Sequence, residues 1–295
     1  MKDFRLAMVQ HDAYLGKKHE NLELTAEFVR KAKQAGADLV AFPEINISGH
    51  AAHESLVNSA EPVPDGDSVK RLISMARELG IYIAAGIVER DEKKLYNTQF
   101  VVGPEGYVGK QRKIHLSMNE VLYFTPGNEI KPITLPFAKV GIVICYDCTF
   151  PEQSRCLAVD GAEVLLYCNA ARHVDTEWIE WSEDEEYQDH IVSGMKEYLS
   201  TITKCRALEN RCYAGVCNMT GESGKYVGVK SNHAGGCFII DPYGKIVAES
   251  STKRIGNEMI TADLKAEVLE PLRTWENSPY VKRRPELYED LVKKA

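Results

Sequence analysis

Apolar and polar positions fall into segments of two kinds along the chain, and their order sets the expected fold. Short β-rich runs occupy residues 6–10, 38–42, 81–89, 96–103 and 107–113, then 138–145, 163–167, 213–218, 236–241, 245–249 and 258–263. Runs of this length, bounded by Gly, Pro or Asp, read as strands. Residues 19–35 and 68–79 carry apolar positions at helical spacing and stop at Gly36 and Gly80. Further helices are expected over 152–160 and 188–211. Pro104-Glu105-Gly106 and Pro242-Tyr243-Gly244 read as hairpin turns. Strands and helices alternate, strands then run together, and the cycle restarts after residue 145. That order predicts sheets covered by helices on their outer faces, in an α/β or α+β arrangement. The second half echoes the first in architecture, without a sequence repeat of fixed period.

Composition narrows the picture. No linker or low-complexity tract interrupts the 295 residues, which read as one domain over 1–270 with a tail over 271–295. The first residues enter a strand without a signal-peptide apolar core, and no apolar run approaches membrane-spanning length, so a soluble, cytoplasmic protein is expected. A net charge of −7 without a basic cluster argues against nucleic acid and anionic membrane as partners. Eight cysteines lie scattered through apolar or helical segments, which favours reduced thiols over disulfides.

The candidate chemistry sits at strand ends. Cys145 closes the run Val140-Gly141-Ile142-Val143-Ile144-Cys145, and Phe150-Pro151-Glu152 opens the next segment. This reads as a strand-to-helix turn that lifts the thiol toward a helix N-terminus, whose partial positive charge favours thiolate. A lone cysteine is usually a small core hydrophobe. Here, however, Phe42-Pro43-Glu44 and Arg112-Lys113-Ile114-His115 also end strands, so an acid, a base and a thiol can converge at one end of a sheet.

These motifs resemble the nitrilase superfamily, the carbon–nitrogen hydrolases, over about residues 4–264. Other matching stretches are Arg206-Ala207-Leu208-Glu209-Asn210 and Gly235-Gly236-Cys237. The resemblance implies an αββα sandwich, a Glu44–Lys113–Cys145 triad, and no metal or organic cofactor. It implies that Cys145 attacks an amide or nitrile carbon, that Glu44 shuttles the proton, and that Lys113 with a backbone N–H near Tyr146 stabilises the developing negative charge. Glu120 matches a second glutamate of relatives, which orients Lys113 and the substrate nitrogen. Asn169 matches a pocket-lining stretch whose amide donates to or accepts from substrate. A homodimer or higher homo-oligomer is the family expectation, with the C-terminal tail packed on a neighbour.

Alternatives attach to single features. Cys145-Tyr146-Asp147-Cys148 is formally a C-x-x-C, but a zinc ribbon needs a second pair and the cysteines offer none. A thioredoxin-like enzyme is disfavoured by the Pro-Glu context. A papain-type site would need a histidine base, and nothing in the sequence singles one out. A catalytically silent binding module is disfavoured by the intact triad. Tyr146-Asp147 after the nucleophile resembles amidases and carbamoylases, whereas nitrilases carry Trp-Glu. Cys148 and Thr149 replace the two arginines of D-carbamoylases, leaving Arg172 either to bind a substrate carboxylate or to pair with Glu183-Asp184-Glu185-Glu186. The acidic stretch 177–189 reads equally as a pocket rim or as the start of a long helix. The expected substrate is a small non-peptide amide, with an N-carbamoyl amine or amino acid as the alternative.

Overall fold

The computed structural model describes residues 1–51, 53–171, 184–228, 232–251, 256–276 and 278–293. The chain forms β1 (Phe4–Gln10), α1 (Lys18–Gln34), β2 (Leu39–Ala41), a short α2 (Ser55–Ser59), α3 (Asp67–Leu79), β3 (Tyr82–Asp91), β4 (Lys94–Gly103) and β5 (Gly106–Arg112). Next come β6 (Ile133–Thr134), β7 (Lys139–Ile144), α4 (Pro151–Val159), β8 (Val164–Asn169), α5 (Glu185–Asn210) and β9 (Tyr213–Asn218). The remainder is β10 (Thr220–Glu222), β11 (Asn232–Ala234), β12 (Phe238–Ile240), β13 (Ile246–Glu249), β14 (Glu258–Leu264), α6 (Ala266–Thr274) and α7 (Pro279–Lys282).

Two six-stranded sheets hold the molecule together, ordered β14-β1-β2-β3-β4-β5 and β13-β12-β9-β8-β7-β6, with β10 and β11 pairing separately. In the first, β1, β2 and β3 are parallel and their outer neighbours antiparallel. In the second, β7, β8 and β9 repeat that arrangement strand for strand. The architectural echo therefore extends to strand direction, and it makes β7 the counterpart of β1 and β8 the counterpart of β2.

Side chains in each sheet obey the two-residue period of a strand. Leu6, Met8, Leu39 and Ala41 point into a core shared with Ile142, Ile144, Leu166 and Cys168, between the sheets. Their neighbours Ala7, Val9, Val40 and Phe42 pack under α1 and α3 with Leu22, Val29, Leu72 and Ala76. On the far side, Val143, Leu165, Tyr167 and Val216 meet Leu157 of α4 and Met195, Leu199 and Ala207 of α5. The layers are thus helix, sheet, sheet, helix, the expected αββα sandwich. Strands buried on both faces lose the apolar–polar alternation and read as continuous apolar runs. The sheets approach closely at Gly215, where an added Cβ would lie 2.7 Å from Met8 Sδ.

The structure corrects several local expectations. The strand expected over 138–145 stops at Ile144, because Cys145 opens a 3-10 helix, Cys145–Thr149. The stretch around Glu120, for which no element was expected, forms a 3-10 helix, Met118–Leu122. Helix α6 crosses residue 270, where the tail was expected to begin, and carries Pro271 inside it. Arg172 and most of the acidic stretch 177–189 lie outside the described residues. Among the described residues, no helix is long and apolar enough to cross a membrane.

Candidate active site

In parallel sheets, ligand sites form beyond the carboxyl ends of the strands. Glu44 comes after β2, Lys113 after β5 and Cys145 after β7, and Asn169 ends β8, the strand that corresponds to β2 in the second half. Glu44 is fully buried. Its Oε1 accepts from Lys113 Nζ at 2.7 Å and Asn97 Nδ2 at 2.7 Å, and its Oε2 accepts from the Ala170 N–H at 2.9 Å. The last bond ties the exit of one sheet to the exit of the other.

Lys113 is 1% exposed and also donates to both oxygens of Glu120 at 2.8 Å. Glu120 is fixed in turn by a capping box, its Oε2 accepting from the Ser117 N–H at 2.8 Å and the Ser117 hydroxyl at 2.9 Å. Burial opposes the charge on Lys113, but Glu44 and Glu120 outweigh it and hold its ammonium well above the ordinary lysine range. Burial likewise opposes ionisation of Glu120; His50 and Lys113 reverse that and keep the carboxyl well below its usual value.

Cys145 takes a left-handed backbone angle, φ 47°, uncommon outside glycine and costing about 1–3 kcal/mol. Its thiol shares a cavity of about 480 Å³ with Lys113 and Glu120. The helix-terminus expectation for this thiol is corrected: burial, then the charge of Glu44, push it well above the ordinary cysteine value despite Lys113. At rest Cys145 is a thiol and needs a base. Behind it, α4 opens with Pro151 at its first position, a residue preorganised for a helix start.

Tyr146 is exposed at the cavity mouth, its ring edge-on to Phe150, while its N–H lies in the first turn of a helix, where amides have no partner along the chain. Asn169 lines the cavity but spends its Nδ2 on the Tyr167 and Cys217 carbonyls at 3.2 and 3.1 Å. Its Oδ1 has no partner among the described residues, so it can accept from substrate but not donate. His115 is turned away, bonded to Asp147 at 2.8 Å and stacked on Phe150. Asp147 also accepts from the His115 N–H at 2.7 Å, holding the chain just after Lys113. Apolar walls complete the cavity, among them Ile45, Phe124, Met195 and Leu199.

Sequence reasoning missed Asn97 and His50. The buried polar run Asn97-Thr98-Gln99 inside the strand β4 was a usable signal, since such groups need partners. His50 reaches the site through a loop, with only the preceding glycine as a hint; its Nε2 lies 3.7 Å from Glu120 and 3.9 Å from Glu44.

Residues 5–274 match the family model for carbon–nitrogen hydrolases. A protein named nitrilase from Pyrococcus abyssi is 33% identical over 74% of this chain and 76% of its own length. The omega-amidase NIT2 of Xenopus tropicalis is 31% identical over 98% of both chains. Among solved structures, Saccharomyces cerevisiae Nit3, a member of branch 10 of the nitrilase superfamily, superposes with a TM-score of 0.75 at 26% identity, covering 92% of this chain and 93% of that one.

Proposed function

The chain belongs to the carbon–nitrogen hydrolase family, and from that premise we propose that it hydrolyses a small non-peptide amide to a carboxylic acid and ammonia. The observation that carries this reading is the buried set Glu44–Lys113–Glu120, joined at 2.7–2.8 Å, whose Lys113 and Glu120 line one cavity with Cys145. Amide carbons are poor electrophiles, and a covalent route divides the barrier into two lower ones. The Cys145 proton passes to Glu44 as sulfur bonds the carbonyl carbon. Lys113 and the Tyr146 N–H stabilise the oxyanion, a kind of contact worth roughly 3–4 kcal/mol. As the tetrahedral adduct collapses, the C–N electron pair leaves with nitrogen, which takes the proton back from Glu44. Water, deprotonated by Glu44, then cleaves the thioester and restores the thiol. Asn169 Oδ1 accepts from the substrate, and the molecule works as a homo-oligomer.

Ammonia release should be screened across amides, ureido compounds and nitriles. Amides are expected to be the productive class, with an acyl adduct on Cys145 under turnover and none on the other seven cysteines. Cys145→Ala is expected to abolish turnover and leave the fold intact; a folded Cys145→Ala protein that still releases ammonia would falsify the thioester route.

A further inference from the structure

The reacting groups occupy only one part of the cavity. The charged side chains that line it among the described residues, Lys113 and Glu120, are bound to each other at 2.8 Å, and the His50 ring stands 3.7 Å from Glu120. The Ser117 hydroxyl is spent on the same carboxylate. Two buried apolar clusters meet around the rest. Ile45, Ala51 and Phe124 belong to one, Met195 and Leu199 to the other. Met195 and Leu199 lie four residues apart on α5 and so share one face of that helix. A cavity of about 480 Å³ is large enough for a drug-sized ligand, and acetamide would leave most of it to water. Ile45 adds a second observation. Its φ is 34°, a left-handed angle strained for a branched side chain. Glycine would turn the chain after Glu44 without that strain, so what Ile45 supplies beyond the turn is its buried side chain, an apolar wall of the cavity.

We propose that these walls form an acyl subsite, which selects amides of neutral acids with a bulky apolar chain or ring and rejects amides that end in a carboxylate. The proposal rests on the amide-hydrolase reading above and names the acid which that reading leaves open. The carbonyl carbon must reach Cys145, with its nitrogen and oxygen taken by Glu44, Lys113 and the Tyr146 N–H. The acyl group then extends between Ile45 and Phe124 on one side and Met195 and Leu199 on the other. Each methylene removed from water there is worth about fourfold in kcat/KM. A carboxylate at the far end of the chain meets no cation among the described lining residues except Lys113, which is already held between two carboxylates. A buried charge without a partner is strongly disfavoured.

The test follows ammonia release from acetamide, pentanamide, hexanamide, 3-phenylpropionamide and glutaramate, the last being pentanamide with a carboxylate in place of its methyl. In the wild type, kcat/KM for hexanamide and for 3-phenylpropionamide is expected to exceed that for acetamide at least tenfold. Pentanamide is expected to exceed glutaramate at least tenfold. Met195→Gln keeps the length of the side chain and makes its end polar, and should lower the ratio of hexanamide to acetamide at least threefold. Equal losses on the two amides, or no loss on either, would make Met195 a packing residue and overturn the subsite as drawn. A wild type that treats acetamide and hexanamide alike would overturn it whether or not the variant folds. So would one that takes glutaramate as readily as pentanamide, since the far end of the acyl chain would then meet a cation and not an apolar wall. Ammonia from no amide, in this series or the broader screen, would instead sink the amide-hydrolase reading itself.

Discussion

Lys113 shows how far the chemistry depends on charges taken out of water. Its ammonium stands between two buried carboxylates at 2.7–2.8 Å, and removing one partner of a buried ion set costs roughly 3–5 kcal/mol because the others stay behind uncompensated. Lys113→Ala should therefore lower the urea midpoint sharply as well as activity, whereas Cys145→Ala, which removes no charge, should leave it near wild type. An unchanged midpoint in Lys113→Ala would mean the carboxylates do not depend on the ammonium. His11 tests burial in a second way. It is wholly buried beside Phe28 and Phe42, and its ring is depressed from 6.5 to about 4, chiefly by burial. Above pH 6.5 it is neutral folded or unfolded and has no effect. Between 6.5 and 4 the unfolded chain binds a proton that the folded one refuses, so stability falls with acidification, by roughly 3 kcal/mol in all. Urea melts across that range should show a shallower decline for His11→Gln than for the wild type, and parallel curves would assign the acid sensitivity to other groups.

The elements matter through their exits, and the loop after β2 is the most constrained. Gly49→Ala meets both a left-handed φ and the Leu15 backbone, so it should destabilise the protein by about 1–3 kcal/mol and lower kcat at least tenfold by moving His50. Wild-type kcat in the purified variant would show that the loop is not what aims that side chain. This loop also marks where the sequence stopped being legible. Strands packed on both faces announced themselves as apolar runs, and β9 was read to the residue, Tyr213–Asn218. Glu44 and Cys145 stood out because each follows such a run, whereas Lys113 follows the half-exposed edge strand β5 and was legible through its Arg-Lys-Ile-His context. The 3-10 helix Met118–Leu122 is too short to show a period, and Pro271 spoke against α6, though a tertiary contact, Leu269 buried in the inter-sheet core, sustains that helix. His50 was invisible because what aims it, Leu15, Ser223 and His233, lies 35 to 183 residues away in sequence.

At the scale of the whole molecule, the two helical faces of the sandwich differ. Helices α1 and α3 bury their large apolar side chains against the first sheet and expose none of them, whereas α4 exposes Val159 and α5 exposes Tyr198 and Leu208. Helix α7 packs on α5, and Trp275, Val281, Leu287, Leu291 and Val292 of the C-terminal stretch are exposed as well. Apolar side chains gathered on one side of a molecule mark a contact surface. The homo-oligomer proposed above would use this face: a two-fold axis sets the same patch against itself, so one apolar face is enough to close a dimer. Since α4 comes just after the nucleophile turn and Tyr198 lines the cavity, such a dimer would also brace the active-site mouth. Sedimentation velocity should give twice the chain mass at micromolar concentration. Val159→Glu combined with Leu208→Glu should return it to the mass of one chain and lower kcat, because these positions face away from the substrate and can act on it only through the partner. A wild type that sediments as a monomer at every concentration would remove the dimer, and a dimer untouched by both charges would move the interface off the α4–α5 face.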